Sequence, residues 1–419
     1  MNIVLSTIKS IINKMLPIIK MIYENITTKR SLVKKCQPQD LIVAFEKLKS
    51  IERSKFIINK STTSKFQRFM CYFILIMNNI FLSRWLILSL TNNKTLQFIL
   101  GDNYTNLRER AFINVMIYIA SYQGMIMSFY VIWLNNFVDK PFISVLKDYV
   151  EGVKSSRKVF HLSDDHDYLF RKWYTNGIRI YLIYSYGFMF YDCFLDIMII
   201  VTEQKDFAAM FVQIMLLCMI TFSMHFSSFS NNWFMFHWLI TVLFTYCRVA
   251  SFTTEFTKRL LCLQDQKIFI LELQKFSNWL DSFNRQINPP TLFNFSYTSF
   301  FTVVIVYYGS QHNFSNAGVN MMFRGASIIC ITFFSTFCFL ASFIPRKGKR
   351  IHIMTYNLCK CKTKDVPFML KRLEILDRFS YRNIGLYLNE GTLICNHFSI
   401  IFLMECVTLY LLMYANLNR

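Results

Sequence analysis

Charge is scarce in this chain. Only 17% of its 419 residues are Asp, Glu, Lys or Arg, while 54% are hydrophobic; soluble proteins carry roughly a quarter charged residues. Glycine and proline are scarcer still, at eleven and seven, which leaves little material for flexible linkers and favours one compact body over several domains. Catalytic punctuation is missing too. There is no HExxH, GxSxG, Walker or Gly-rich nucleotide motif, so the chain is not expected to be an enzyme. Cys359-Lys360-Cys361 has no second pair at zinc-finger spacing. "HLSDDHDY" at 161 to 168 lacks regular ligand spacing and reads as a solvated, turn-forming loop. No cofactor is expected.

What is abundant is aromatic. Forty-four phenylalanines are hard to bury in a soluble body of this size without leaving apolar patches on its surface. Membrane is therefore the leading class. The net charge of +21 raises nucleic-acid binding as a rival, but it is gathered in blocks between apolar runs, as in the cytoplasmic loops of membrane proteins. No RNA- or DNA-binding motif accompanies it, so no nucleic-acid partner is expected. At the amino end, Lys9, Lys14 and Lys20 interrupt what would have to be the core of a cleavable signal. The stretch "STIKSIINKMLPIIK" sets lysines and serines opposite isoleucines at helical spacing. It suits a helix lying on an anionic membrane surface or one packed on the protein's own intracellular body.

A membrane helix needs about 20 mostly apolar residues. Eight stretches approach that: 68–90, 112–134, 177–201, 207–226, 232–250, 293–309, 323–344 and 392–417. Lys and Arg number fourteen in 1–68, seven in 135–176, five in 251–293 and eleven in 346–390, which assigns these four segments to the cytoplasm. The loop 91–111 has three and 310–323 none, so both are placed outside. The triplets Asn93-Lys94-Thr95, Asn103-Tyr104-Thr105 and Asn313-Phe314-Ser315, which fit glycosylation sites, fall in those outside loops.

Parity then requires an even number of crossings between 135–176 and 251–293, although three apolar stretches lie there. The segment 207–226 is demoted to an outer helix leading into a long fourth crossing. The expected fold is all-α: a multi-pass membrane protein with a cytoplasmic amino-terminal segment at 1–67 and a domain of seven transmembrane helices at 68–419. Its amino terminus is inside and its carboxyl terminus outside. None of the twelve cysteines falls in the short outside loops, so structural disulfides are not expected.

The stretch from Phe379 to Asn418, "FSYRNIGLYLNEGTLICNHFSIIFLMECVTLYLLMYANLN", resembles the carboxyl-terminal signature of insect gustatory receptors. In that family a GLF element precedes the seventh helix, which closes with Thr-Tyr, five apolar residues and Gln-Phe. Gly385-Leu386-Tyr387 fills the first element, Tyr410 the tyrosine, and Asn416-Leu417 the final pair. Leu409 replaces the threonine, and Leu417 lacks an aromatic ring. "LELQKFSNWLDSFNRQINPPTLFNFSYTSFFTVVIVYYG" likewise looks like the family's long cytoplasmic helix entering its fifth span.

The resemblance implies a plasma-membrane chemoreceptor for taste: a homo- or hetero-tetrameric, tastant-gated, non-selective cation channel. Four seventh helices would surround the pore, with Tyr410, Met413, Asn416 and Leu417 as candidate pore residues. A separate ligand pocket would open to the outside in each subunit. For that pocket the candidates are Asp192 and Asp196, one turn apart at membrane depth where ionisable groups are costly, with the aromatic residues Trp238, Tyr308 and Tyr122. Each has a plainer reading as an interfacial anchor or packing residue. Rival readings are an odorant receptor subunit needing a co-receptor and, more distantly, a G-protein-coupled receptor or a transporter.

Overall fold

The computed structural model describes residues 37–54, 65–102, 104–138, 141–155, 162–203, 207–259, 263–311, 314, 316–360, 365–381, 384–387 and 392–417; within its helices some side chains, among them those of 218–230, 332–340, Asp192 and Leu417, are outside the description. The amino-terminal segment 1–36 and the sequon residues Asn103 and Asn313 lie outside the described residues.

The described chain is helical, with an isolated antiparallel bridge between Tyr387 and Leu393 and no strand among the described residues. The helices are α1 (Pro38–Ser54), α2 (Lys65–Leu90), α3 (Lys94–Ile99), α4 (Arg110–Phe137), α5 (Ser144–Lys154), α6 (Asp164–Glu203), α7 (Phe207–Arg259), α8 (Leu263–Gln311), α9 (Ala317–Lys360), α10 (Val366–Tyr381) and α11 (Asn396–Leu417). Among the described residues, three stretches are long and apolar enough to cross a membrane: Arg110–Asn135 in α4, Asn231–Thr254 in α7 and His397–Asn416 in α11. By length and composition this is a membrane protein.

Long helices follow from the sequence. Between 207 and 259 there is neither glycine nor proline, so nothing stops the 3.6-residue repeat once it has begun. The stretches 207–226 and 232–250 therefore share one continuous helix of 53 residues. A helix without a turn passes through a bilayer in one direction only, so these two stretches cannot be consecutive crossings of opposite sense.

"HLSDDHDY" differs from the expected loop. Asp164, Asp165 and Asp167 form the first turn of α6, because carboxylates at a helix amino end interact favourably with its dipole. The Ser163 hydroxyl lies 2.6 Å from His166 Nδ1, and the Asp167 amide donates to the Ser163 carbonyl at 2.8 Å. His161 lies outside the described residues, and no metal-binding group occurs among the described ones.

The aromatic excess is divided between interior and surface. The larger apolar cluster packs Phe142, Phe170, Phe234, Phe244, Phe276 and Phe283 among α5 to α8 and the segment preceding α5. Several of these rings meet edge to face, Phe142 with Phe234 at 6.1 Å and Phe170 with Phe244 at 5.3 Å between centroids, the arrangement their quadrupoles favour. Phe66, Phe69, Tyr72, Phe73, Ile76 and Ile80 instead line an exposed face of α2, which only an apolar surrounding would stabilise.

Ion pairs fasten the polar end of the bundle. Glu46 of α1 pairs with Lys154 of α5, Lys267 of α8 with Asp365 before α10 at 2.5 Å, and Arg378 of α10 with Asp281 of α8. Tyr149 of α5 donates to Asp167 of α6 at 2.6 Å, and burial together with that carboxylate pushes its phenol well above its ordinary value. Helix α11 packs along α8 and α9.

Candidate functional site

At the end of the bundle where α2 hands over to α4, the connection folds back onto the helices. Asn93 caps α3 with its Oδ1, accepting from the amides of Thr95 at 3.0 Å and Leu96 at 3.3 Å, as a residue of this type does at an amino-terminal cap. Gly101, at φ +68°, ends the turn in the left-handed region that glycine enters without strain. That reversal carries Asp102 inward until it is fully buried.

Asp102 is held from several sides. Arg110, the first residue of α4, donates its Nε to Asp102 Oδ2 and its Nη2 to the Leu88 carbonyl. Asn114 Nδ2 reaches the same carboxylate oxygen at 3.3 Å, and the Tyr104 amide donates to Oδ1 at 3.0 Å. The placement is electrostatically consistent. An arginine at a helix amino end is unfavourable beside the positive dipole terminus, and the carboxylate offsets both. Arg84, lying over the Trp85 ring with its guanidinium carbon 4.3 Å from the centroid, donates Nε to the Leu100 carbonyl and Nη2 to that of Gly101 at 2.6 Å.

Two of the sequence candidates join this region. Asp196, half-buried on α6, accepts from the Tyr104 hydroxyl at 2.8 Å. Tyr308, half-buried on α8, lies against Phe112 with centroids 4.0 Å apart and the rings tilted by 30°. It packs against the smaller apolar cluster, which includes Trp85, Tyr104, Ile199, Phe314 and Phe323. The result is a polar cluster of two carboxylates and two guanidiniums beside an aromatic wall, in which Asp102 and Arg110 are buried against each other.

The other candidates lie elsewhere. Trp238 is fully buried in the larger cluster. Tyr122 is exposed on α4 and stacks on Tyr118 at 6.2 Å, while its neighbour Gln123 turns inward to donate to Asn294 Oδ1 at 2.8 Å. Asp192 lies one turn before Asp196 on α6, its side chain outside the described set.

On α11, Tyr410 faces α8. Its hydroxyl lies 3.1 Å from Ser310 Oγ and accepts from Gln311 Nε2 at 3.0 Å, and its ring is 6.1 Å from that of Tyr307. Met413 packs against the smaller cluster. Asn416 is exposed, its amide donating back to the Leu412 carbonyl at 2.9 Å, and the Leu417 side chain is outside the description. Ile400, Met404, Val407, Leu411 and Leu412 leave most of α11 exposed and apolar.

Sequence reasoning missed the Asp102–Arg110 pair, although a carboxylate and a guanidinium eight residues apart, just after a glycine in a short apolar-bounded loop, could have signalled it. It also missed Asn284 of α8, which is buried and grips the backbone of the Gly385-Leu386-Tyr387 element. No protein-family model matches the chain, and neither does any curated protein.

Proposed function

We propose that this chain is a subunit of a tastant-gated, non-selective cation channel of the insect gustatory receptor type, a multi-pass protein of the plasma membrane assembling as a homo- or hetero-tetramer. In this reading it has seven membrane helices, with the amino terminus inside and the carboxyl terminus outside. The crossings fall in α2, α4, α6, α7, α8, α9 and α11.

The observation that carries the reading is α11. It is apolar, exposed over most of its circumference, joined to its own subunit along α8 and α9, and provided with an exposed amide at Asn416. A helix of that kind suits a position between lipid, subunit neighbours and a pore, where a ring of amides replaces part of an ion's hydration. Asp196 with Tyr104, beside Tyr308, is the ligand-contacting group favoured on the outer side. Gating is then a population shift: a tastant that binds the open arrangement more tightly draws the last helices apart.

The test is electrical. Cells expressing this chain alone are recorded against a panel of sugars, bitter compounds and other tastants. Ligand-dependent unitary current steps are expected. Saturating, ion-coupled flux without unitary steps would refute the channel reading in favour of transport, and an amino terminus accessible on intact cells would refute the topology. Current only after adding a co-receptor subunit would shift the assignment to the odorant receptor type.

A further inference from the structure

Helix α8 carries Pro289 and Pro290 in its interior. Proline has no amide N–H, so in an α-helix these two leave the carbonyls four residues earlier, at Arg285 and Gln286, without their intrahelical donors. The second of these is claimed from another helix: the Tyr130 hydroxyl of α4 donates to the Gln286 carbonyl at 2.5 Å. The Gln286 side chain is tied as well, its Oε1 accepting from the Phe142 amide at 2.7 Å. The weakened turn of α8 is thus held through α4 and the segment preceding α5.

That turn also grips the chain leading to the last helix. Asn284 Nδ2 donates to the Gly385 carbonyl at 3.1 Å, and its Oδ1 accepts from the Tyr387 amide at 3.3 Å. Asn288, one turn on, is placed to donate its amide to the Tyr387 carbonyl. On the other side the same segment lies against α9 at Pro345, a proline inside that helix. A Cβ on Gly385 would stand 3.0 Å from Pro345 Cγ, and one on Gly348 would stand 2.8 Å from the Ile384 carbonyl oxygen, so both glycines are needed for the approach. The hairpin closes with the Ile394 amide donating to Leu386 O at 2.8 Å, and α11 begins two residues later.

We infer that the proline step of α8, with Tyr130 as its clamp and Asn284 as its grip, is a coupling joint that sets the position of the hairpin feeding α11. Tyr130 and Asn284 are positioning residues. Moving α4 relative to α8 loads the Gln286 carbonyl, the weakened turn yields, and the Asn284 grip carries that displacement to residues 384–387 and, through the pairing of Leu386 with Ile394, to 392–394. The role in gating rests on the channel reading above; the mechanical linkage does not.

Cys395, a half-buried free thiol at the end of the hairpin, reports on the linkage directly. The full chain in lipid nanodiscs is treated with N-ethylmaleimide, and alkylation of Cys395 and of Cys193 on α6 is followed by mass spectrometry in wild type, Tyr130→Phe, Asn284→Ala and the double variant. Tyr130→Phe removes one hydroxyl far from the hairpin in sequence. It is expected to speed Cys395 labelling about fivefold, the equivalent of about 1 kcal/mol for one net hydrogen bond, with Cys193 unchanged. Asn284→Ala should do at least as much, and the double variant no more than Asn284→Ala alone.

A Cys395 rate in Tyr130→Phe within about twofold of wild type, or equal acceleration at Cys193, overturns the inference. Currents form a separate arm. A wild type silent both alone and with related receptor subunits would sink the proposed function while the labelling result stood. If currents are present, Tyr130→Phe should raise ligand-free opening at unchanged unitary conductance. Wild-type ligand-free opening despite faster labelling would refute the joint's part in gating.

Discussion

Asp102→Asn tests whether the loop between α2 and α4 is locked by a buried ion pair. The substitution keeps an oxygen for the Tyr104 amide but removes the charge facing Arg110, and it presents an amide donor to a guanidinium donor. Arg110 is then a buried cation whose remaining contact among those described is the Leu88 carbonyl. Removing one member of such a pair costs about 3–5 kcal/mol, and the surviving Leu88 contact favours the lower figure.

The cost falls on the loop, so it is read locally by hydrogen exchange of the peptides covering 94–109. At about 1.4 kcal/mol per decade, a loss of about 3 kcal/mol speeds exchange there roughly a hundredfold, up to the limit set by the loop's own protection. Adding Arg110→Met removes the stranded charge and should recover much of the protection, since a buried pair replaced by apolar groups is often neutral. Acceleration below about tenfold, or a double variant exchanging as fast as the single one, would refute the account of the lock.

The remaining predictions concern other parts of the molecule. Trp238→Ala should cost about 3–5 kcal/mol, seen as a lower unfolding temperature by fluorescence-monitored size exclusion, whereas Tyr122→Ala on the exposed face should stay within about 0.5 kcal/mol. Because the Tyr149 phenol titrates above its unfolded value, its contribution is complete below about pH 10 and is lost as pH rises through the folded value. Tyr149→Phe should accordingly flatten the alkaline side of a plot of unfolding temperature against pH. Asn416→Ala should alter conductance or ion selectivity without moving ligand dose dependence, and an unchanged single-channel record would remove Asn416 from the pore.

How far the sequence could be read depended on the range of the forces involved. The blocks of Lys and Arg argued against three separate crossings among 177–201, 207–226 and 232–250, and α7 runs through the last two. The polar run "SSFSNN" at 227–232 resembles a turn, but without glycine or proline the backbone continues as helix. "HLSDDHDY" misled in the opposite sense: its acids are as much at home in a first helical turn as in a loop, and only the local dipole decides.

The Asp102–Arg110 pair depends on a left-handed Gly101 folding the loop inward, which periodicity does not report. Trp238 and Tyr122 show the same limit. Aromatic residues within apolar helices look alike in sequence, yet one is enclosed by α7's neighbours and the other faces outward. Asn284 was illegible because its partner lies about a hundred residues away and is backbone, which leaves no trace in residue type.

The length of α7 has a mechanical corollary. Its 53 residues make a rod of about 80 Å at 1.5 Å per residue, nearly three times the roughly 30 Å hydrocarbon thickness. Tilting such a rod rigidly about its midpoint by about 5° swings its two ends about 3–4 Å in opposite directions, given half-lengths of about 40 Å. A displacement too small to break packing at the pivot is thus amplified at both ends, and α7 can act as a lever between its two termini.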